Sequence, residues 1–208
     1  MRKLTKLALL GAAATLGATS ANAAIVMGDV TGGNSGGVFV QETPLPGFTV
    51  GNNQQQSPNL FAFDEVQGFQ LTADLAGIAA GTFVNSHYVY FDPQNSTTME
   101  GNVTFDGNVL AILTATGQMS ATDALLGNSN VTYQNPGLRG LESNDSASFA
   151  GNQVFVDLRA STPGDYIRVI TLSAVPEPGT WAMMLLGFFG LGAAMRRKPA
   201  TSTRVRFA

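Results

Sequence analysis

Met99-Glu100-Gly101-Asn102-Val103-Thr104-Phe105, followed by Asp106-Gly107-Asn108 and Val109-Leu110-Ala111-Ile112-Leu113, is the stretch that sets the fold class. In an extended backbone successive side chains point to opposite faces. Met99, Gly101, Val103 and Phe105 therefore share one face, and Glu100, Asn102, Thr104 and Asp106 share the other. One apolar and one polar face is the pattern of a half-buried antiparallel strand. Asp, Gly and Asn tolerate positive φ, so residues 106–108 are expected to fold Val109 to Leu113 back onto that strand as a hairpin.

The same reading extends outward in both directions. Short runs rich in β-branched and aromatic residues, each bounded by turn residues, lie at Leu60 to Phe63, Val66 to Leu71, Thr82 to Phe91, Gln153 to Arg159 and Asp165 to Leu172. The last two are separated by the turn Ser161-Thr162-Pro163-Gly164. Gly28 to Asn59, rich in Gly, Asn, Gln and Pro, reads as edge strands and long loops. Ser120 to Gly127 reads as one or two helical turns with Ser120 as N-cap and Gly127 as terminator. Many short strands and almost no helix predict an all-β fold, an antiparallel β-sandwich or jelly roll, with a barrel as the alternative. No fixed-period repeat points to a propeller or solenoid.

Charge narrows the function classes. Between Ala24 and Val175 there are thirteen acidic residues and three basic ones, Arg139, Arg159 and Arg168, with no lysine. Phosphate backbones are bound by clustered Lys and Arg, so nucleic acid is excluded as a partner. The chain has no cysteine, so it offers no disulfide, thiolate metal site or cysteine nucleophile.

The two ends carry routing signals. Arg2, Lys3 and Lys6 precede an uncharged run from Leu7, and Ala21-Asn22-Ala23 supplies the small residues a signal peptidase accepts, so cleavage is expected after Ala23. At the other end Pro176-Glu177-Pro178 fixes two φ angles and removes two backbone donors, which holds the segment extended. Trp181 suits a membrane interface. Fifteen residues from Trp181 to Met195 are uncharged; as a helix they would cover about 22 Å, short of the roughly 30 Å hydrocarbon core. Arg196, Arg197 and Lys198 then act as a basic stop that keeps the C-terminus inside. The expected organisation is a signal peptide (1–23), a β-sandwich ectodomain (24–174), a sorting tail (175–198) with a single transmembrane helix over about 180–195, and a short cytoplasmic extension (199–208).

The segment PEPGTWAMMLLGFFGLGAAMRRK resembles the PEP-CTERM sorting tail, in its PEPxxWA variant, of exported proteins of Gram-negative bacteria. The resemblance implies recognition by an exosortase, a membrane-embedded cysteine transpeptidase or protease that cuts near the Pro-Glu-Pro motif. Carried over, Pro176, Glu177, Pro178, Trp181 and Ala182 are the recognition positions. The ten residues after Lys198 depart from the family, whose tails usually stop sooner. Residues 60 to 172 are also similar, through Ser86 to Pro93, Tyr133 to Glu142 and Pro163 to Val169, to secreted β domains borne on such tails; that similarity implies a shared fold and transfers no activity.

Within the ectodomain, catalytic chemistry is sparsely represented. His87 is the only histidine and lies in a strand-like run without a G-x-S-x-G elbow, so it reads as structural. Asp64, Glu65, Asp92, Glu100, Glu142 and Asp145 are numerous enough to include a glycosidase pair, but the only Trp lies in the tail. Loop oxygens of Asn128, Asn130, Glu142, Asn144 and Asp145 could assemble a calcium site, although no EF-hand spacing fixes them; no other cofactor is expected. Arg139 and Arg168 read as loop pins paired with carboxylates. The expected function is that of a non-enzymatic structural or binding protein. It is exported by the Sec machinery and signal peptidase, and held transiently in the inner membrane with a periplasmic ectodomain. An exosortase then processes it for the cell surface or an extracellular, exopolysaccharide-containing matrix. The alternative is a carbohydrate-binding module or carbohydrate-active enzyme.

Overall fold

A computed structural model describes residues 24–173 and 184–192. The expected signal peptide, the Pro-Glu-Pro segment, the basic cluster and the C-terminal extension lie outside the described residues. In chain order the strands are β1 (Ile25–Gly33), β2 (Phe39–Gln41), β3 (Phe48–Val50), β4 (Leu60–Asp64), β5 (Phe69–Gln70) and β6 (Phe83–Phe91). They continue with β7 (Met99–Phe105), β8 (Val109–Leu113), helix α1 (Thr116–Leu126), β9 (Val131–Tyr133), β10 (Ser146–Ala150), β11 (Gln153–Leu158) and β12 (Asp165–Leu172).

The strands form a first sheet in the order β1-β7-β11-β10, a second in the order β2-β4-β6-β12-β8 with β5 paired to β6, and a small third sheet of β3 and β9. The first two face each other across one core. The first contributes Met99, Val103, Phe105, Val154 and Val156, and the second contributes Leu60, Val89, Phe91, Ile167 and Val169. A second core lies on the opposite face of the second sheet, where Tyr88, Tyr90, Tyr166 and Ile170 meet Met119 and Leu126 of α1 and Val50 of β3. The second sheet is thus covered on both faces. This explains why β6 and β12, its central strands, are buried along almost their whole length rather than on alternate residues, their polar members Asn85, Ser86, His87, Asp165, Arg168 and Thr171 included.

The alternation in β7 is as expected: Met99, Gly101, Val103 and Phe105 are buried and Glu100 is exposed. Its pairing is not. β7 pairs with β1 and β11 in the first sheet, whereas β8 pairs with β12 in the second. Residues 106–108 are a crossover between layers, not a hairpin turn. None of the three adopts the positive φ that a primed hairpin turn requires. Alternation reports which face is buried, and Phe105 and Val109 enter the same core from opposite sheets.

Other expectations shift for local reasons. The sheets are mixed rather than purely antiparallel, because β2 pairs with β4 and β3 with β9 in parallel. The run Val66 to Leu71 keeps only β5, since Gly68 takes positive φ and its N–H is drawn to Asn85 Oδ1. Helix α1 starts at Thr116, so Ser120 is interior; its hydroxyl donates to the Thr116 carbonyl one turn back instead of capping. Gly127 ends the helix as expected. Residues 184–192, inside the expected membrane segment, are helical with exposed side chains. Among the described residues no helix is long and apolar enough to cross a membrane.

Candidate functional site

His87 sits on the inter-sheet face of β6. Its Nδ1 is hydrogen-bonded to Asp64 Oδ1 at 2.6 Å and its Nε2 to Thr171 Oγ1 at 2.9 Å. A carboxylate, an imidazole and a hydroxyl in sequence is the order of a hydrolytic triad. Here the hydroxyl cannot meet a substrate: His87 and Thr171 are both 0% exposed, and the imidazole lies 4.5 Å from the Phe105 ring. What the arrangement does is tie β4, β6 and β12 together, in line with a structural histidine.

On the other face of the same sheet, Arg168 and Glu65 form a two-point ion pair, Nε to Oε2 at 2.6 Å and Nη2 to Oε1 at 2.7 Å. Arg168 also donates to the Met119 carbonyl, Thr122 Oγ1 and Asp123 Oδ1. Glu65 accepts from Ser86 and Tyr133 hydroxyls. Arg139 pairs with both oxygens of Asp123 and lies 5.5 Å from the Tyr133 ring centroid. Burial alone would lower the Arg168 pKa, but the Glu65 charge and its hydrogen bonds, together with Tyr133 and the Asp123 hydrogen bond, outweigh it and the net shift is upward. Both arginines read as loop pins do pin: they hold α1 and the Tyr133 strand against the sheet.

The remaining carboxylates separate. Asp92 is buried and accepts the Gln55 N–H; burial raises its pKa, and backbone donors offset part of the rise. Glu100 is exposed on the outer face of β7. Asn128 and Asn130 serve turns, Asn128 donating to the Asp64 carbonyl and accepting from the Asn130 N–H, and Asn130 donating to the Pro44 carbonyl. Glu142 and Asp145, by contrast, come together with Asp165 at the start of β12. Each offers a carboxylate oxygen, and the three oxygens lie within 4.8 Å of one another. Burial, and then the charges of Asp145 and Glu142, push the Asp165 carboxyl up to about 7. Asp165 was missing from the sequence-derived set because it opens an apolar strand 20 residues after Asp145 in the chain. An open groove of about 250 Å³ near Pro58, Pro93 and Asn95 is lined by polar and proline side chains without an aromatic platform.

The two ends of the described domain meet. The Ala24 N–H donates to Asp106 Oδ1 at 2.6 Å, and the Asp106 N–H donates to the Ala24 carbonyl. The Leu172 N–H donates to the Asn108 carbonyl, and the Ser173 N–H to that of Phe83. Residues 24 and 172 are therefore bonded to opposite ends of one three-residue crossover. Only Ala174 and Val175 separate Ser173 from Pro176.

In sequence, β12 is followed directly by a proline-bounded, apolar segment with a basic cluster. Residues 174–198 match the PEP-CTERM protein-sorting motif. This stretch contains Pro176, Glu177, Pro178, Trp181, Ala182, Arg196, Arg197 and Lys198, all outside the described residues, as are Ala21 and Ala23. The motif marks the protein for export and exosortase-dependent sorting. No curated protein and no solved structure matches this chain.

Proposed function

We propose that this is an exosortase substrate whose β domain is delivered to the cell surface or the extracellular matrix, where it serves a structural or binding role without catalysis. The PEP-CTERM match over residues 174–198 carries the reading. The signal peptide is removed after Ala23, the inner membrane holds the tail over about residues 180–195, and the domain folds on the periplasmic side. Two features of the domain support this. The Ala24 N–H, at the residue that cleavage would expose, is paired with Asp106 Oδ1. The chain's entry and exit also share the crossover at residues 106–108, so both membrane-directed segments leave from one end of the domain and can reach one membrane together. With two residues between the last core residue and Pro176, the domain sits close to the processing site.

Replacement of Pro176, Glu177 and Pro178 by alanine tests the proposal. The variant is expected to accumulate in the membrane fraction at its unprocessed size while the native chain is released. Equal release of both would refute it.

A further inference from the structure

We propose that Glu142, Asp145 and Asp165 bind a divalent cation of the calcium class, and that this ion joins the two facing sheets at the Asp165 end of β12. The ligand set is all oxygen and all carboxylate, which suits a hard cation. Calcium–oxygen distances of about 2.3–2.6 Å allow ligands across one ion to lie up to about 5 Å apart. The three oxygens, within 4.8 Å of one another, fall inside that limit.

A second observation points to a ligand independently of the clustering. Asp165 is 3% exposed and its Oδ2 is fully buried without a hydrogen-bond partner. Burying an ionised, unpaired carboxylate is costly, and such groups coordinate a cation or take up a proton. Among the described residues, no arginine or histidine lies within 4.0 Å of any of these three carboxylates. Arg159 contributes only its backbone N–H, which donates to Asp145 Oδ1 at 2.8 Å and also faces the Asp165 carboxylate, whereas Asp165 Oδ2 takes no hydrogen bond. The Asp145 side chain is already oriented, since its Oδ2 accepts the Glu142 N–H at 2.9 Å. Two of the ligands are thus preset in one loop, and the third is fixed in the central strand of the other sheet.

Position gives the ion a task. Glu142 and Asp145 lead into β10, the edge of the first sheet, while Asp165 opens β12 at the centre of the second. An ion here cross-links the layers at the end of β12 remote from Leu172, about 23 Å along the strand. The site is independent of the sorting motif, so failure of either leaves the other standing.

Isothermal titration of the full-length, chelator-treated protein in detergent with calcium chloride, together with thermal melts, tests the site. One calcium per chain is expected, with a saturable rise in Tm. Asp165→Asn preserves shape and removes the buried charge, so it should fold with an undiminished Tm in chelator and lose at least tenfold in calcium affinity. Glu142→Gln, at an exposed position, should weaken binding without altering the calcium-free melt. Absence of calcium binding to the native protein, unchanged binding in Asp165→Asn, or an equal response to magnesium chloride would each overturn the proposal.

Discussion

Glu65→Ala removes the partner of the most deeply buried cation in the domain. Arg168 is 0% exposed and Glu65 6%, and the pair is joined at 2.6 and 2.7 Å. Truncating Glu65 also strands the Ser86 and Tyr133 hydroxyls. Breaking one side of a buried ion pair costs about 3–5 kcal/mol, because the surviving charge keeps its desolvation penalty without its partner. Asp123 Oδ1, 3.0 Å from Arg168 Nη2, supplies partial compensation and places the expected loss at the lower end, about 3 kcal/mol. For a domain of this size each kcal/mol moves Tm by about 2–4 °C, so the melt should fall by roughly 6–12 °C. Replacing both partners by methionine relieves the uncompensated charge and should show a coupling of about 0.5–3 kcal/mol against the two single changes. Equilibrium urea unfolding followed by far-UV circular dichroism measures Glu65→Ala, the two single methionine variants and the double methionine variant. A loss below about 1 kcal/mol for Glu65→Ala, or strict additivity in the double variant, would show that Glu65 does not hold Arg168 in place.

Three further outcomes follow from the geometry. At Gly101, an added Cβ would meet the Asp29 carbonyl at 2.7 Å and Leu60 Cδ2 at 2.8 Å, so Gly101→Val should cost about 1–3 kcal/mol by overpacking, read from the urea midpoint. In calcium-free buffer the raised Asp165 pKa makes the folded state hold a proton that the unfolded chain, with a carboxyl pKa near 3.9, has released. Stability from this group is complete below about pH 4 and is lost as pH rises through about 7. Asp165→Asn should flatten that slope, and a slope unchanged in the variant would assign it to another group. N-terminal sequencing of the exported protein should begin at Ala24, whose new ammonium would pair with Asp106; a start elsewhere would remove that pairing from the account.

Strand positions were legible wherever burial is one-sided or continuous: β7, β11 and β12 are visible in Met99 to Phe105, Val154 to Leu158 and Asp165 to Leu172. Partnership was not. Nothing in Asp106-Gly107-Asn108 distinguishes a turn within a sheet from a crossover between sheets, because both place Phe105 and Val109 in one core. Strand β10, Ser146-Ala147-Ser148-Phe149-Ala150, escaped notice because it is an exposed edge with little apolar alternation. The start of α1 escaped for a similar reason, since Thr116-Gly117 has weak helix propensity and is held by tertiary bonds such as that from Thr116 Oγ1 to the Arg139 carbonyl. The sorting motif over residues 174–198 was readable because its signal lies in residue order rather than in long-range contact. In the acidic cluster only the local half, Glu142 and Asp145, could be read from sequence; Asp165 arrives through sheet pairing.

The central claim is that residues 174–198 are a processing signal rather than a permanent anchor. Intact-mass spectrometry of the protein recovered from the cell surface or medium tests it most directly. The account predicts a C-terminus near Pro176-Glu177-Pro178, with the Trp181 to Met195 segment and the Arg196-Arg197-Lys198 cluster absent, and accumulation of the full-length tail when the exosortase is deleted. A recovered protein that still ends at Ala208 in the presence of the exosortase would contradict it.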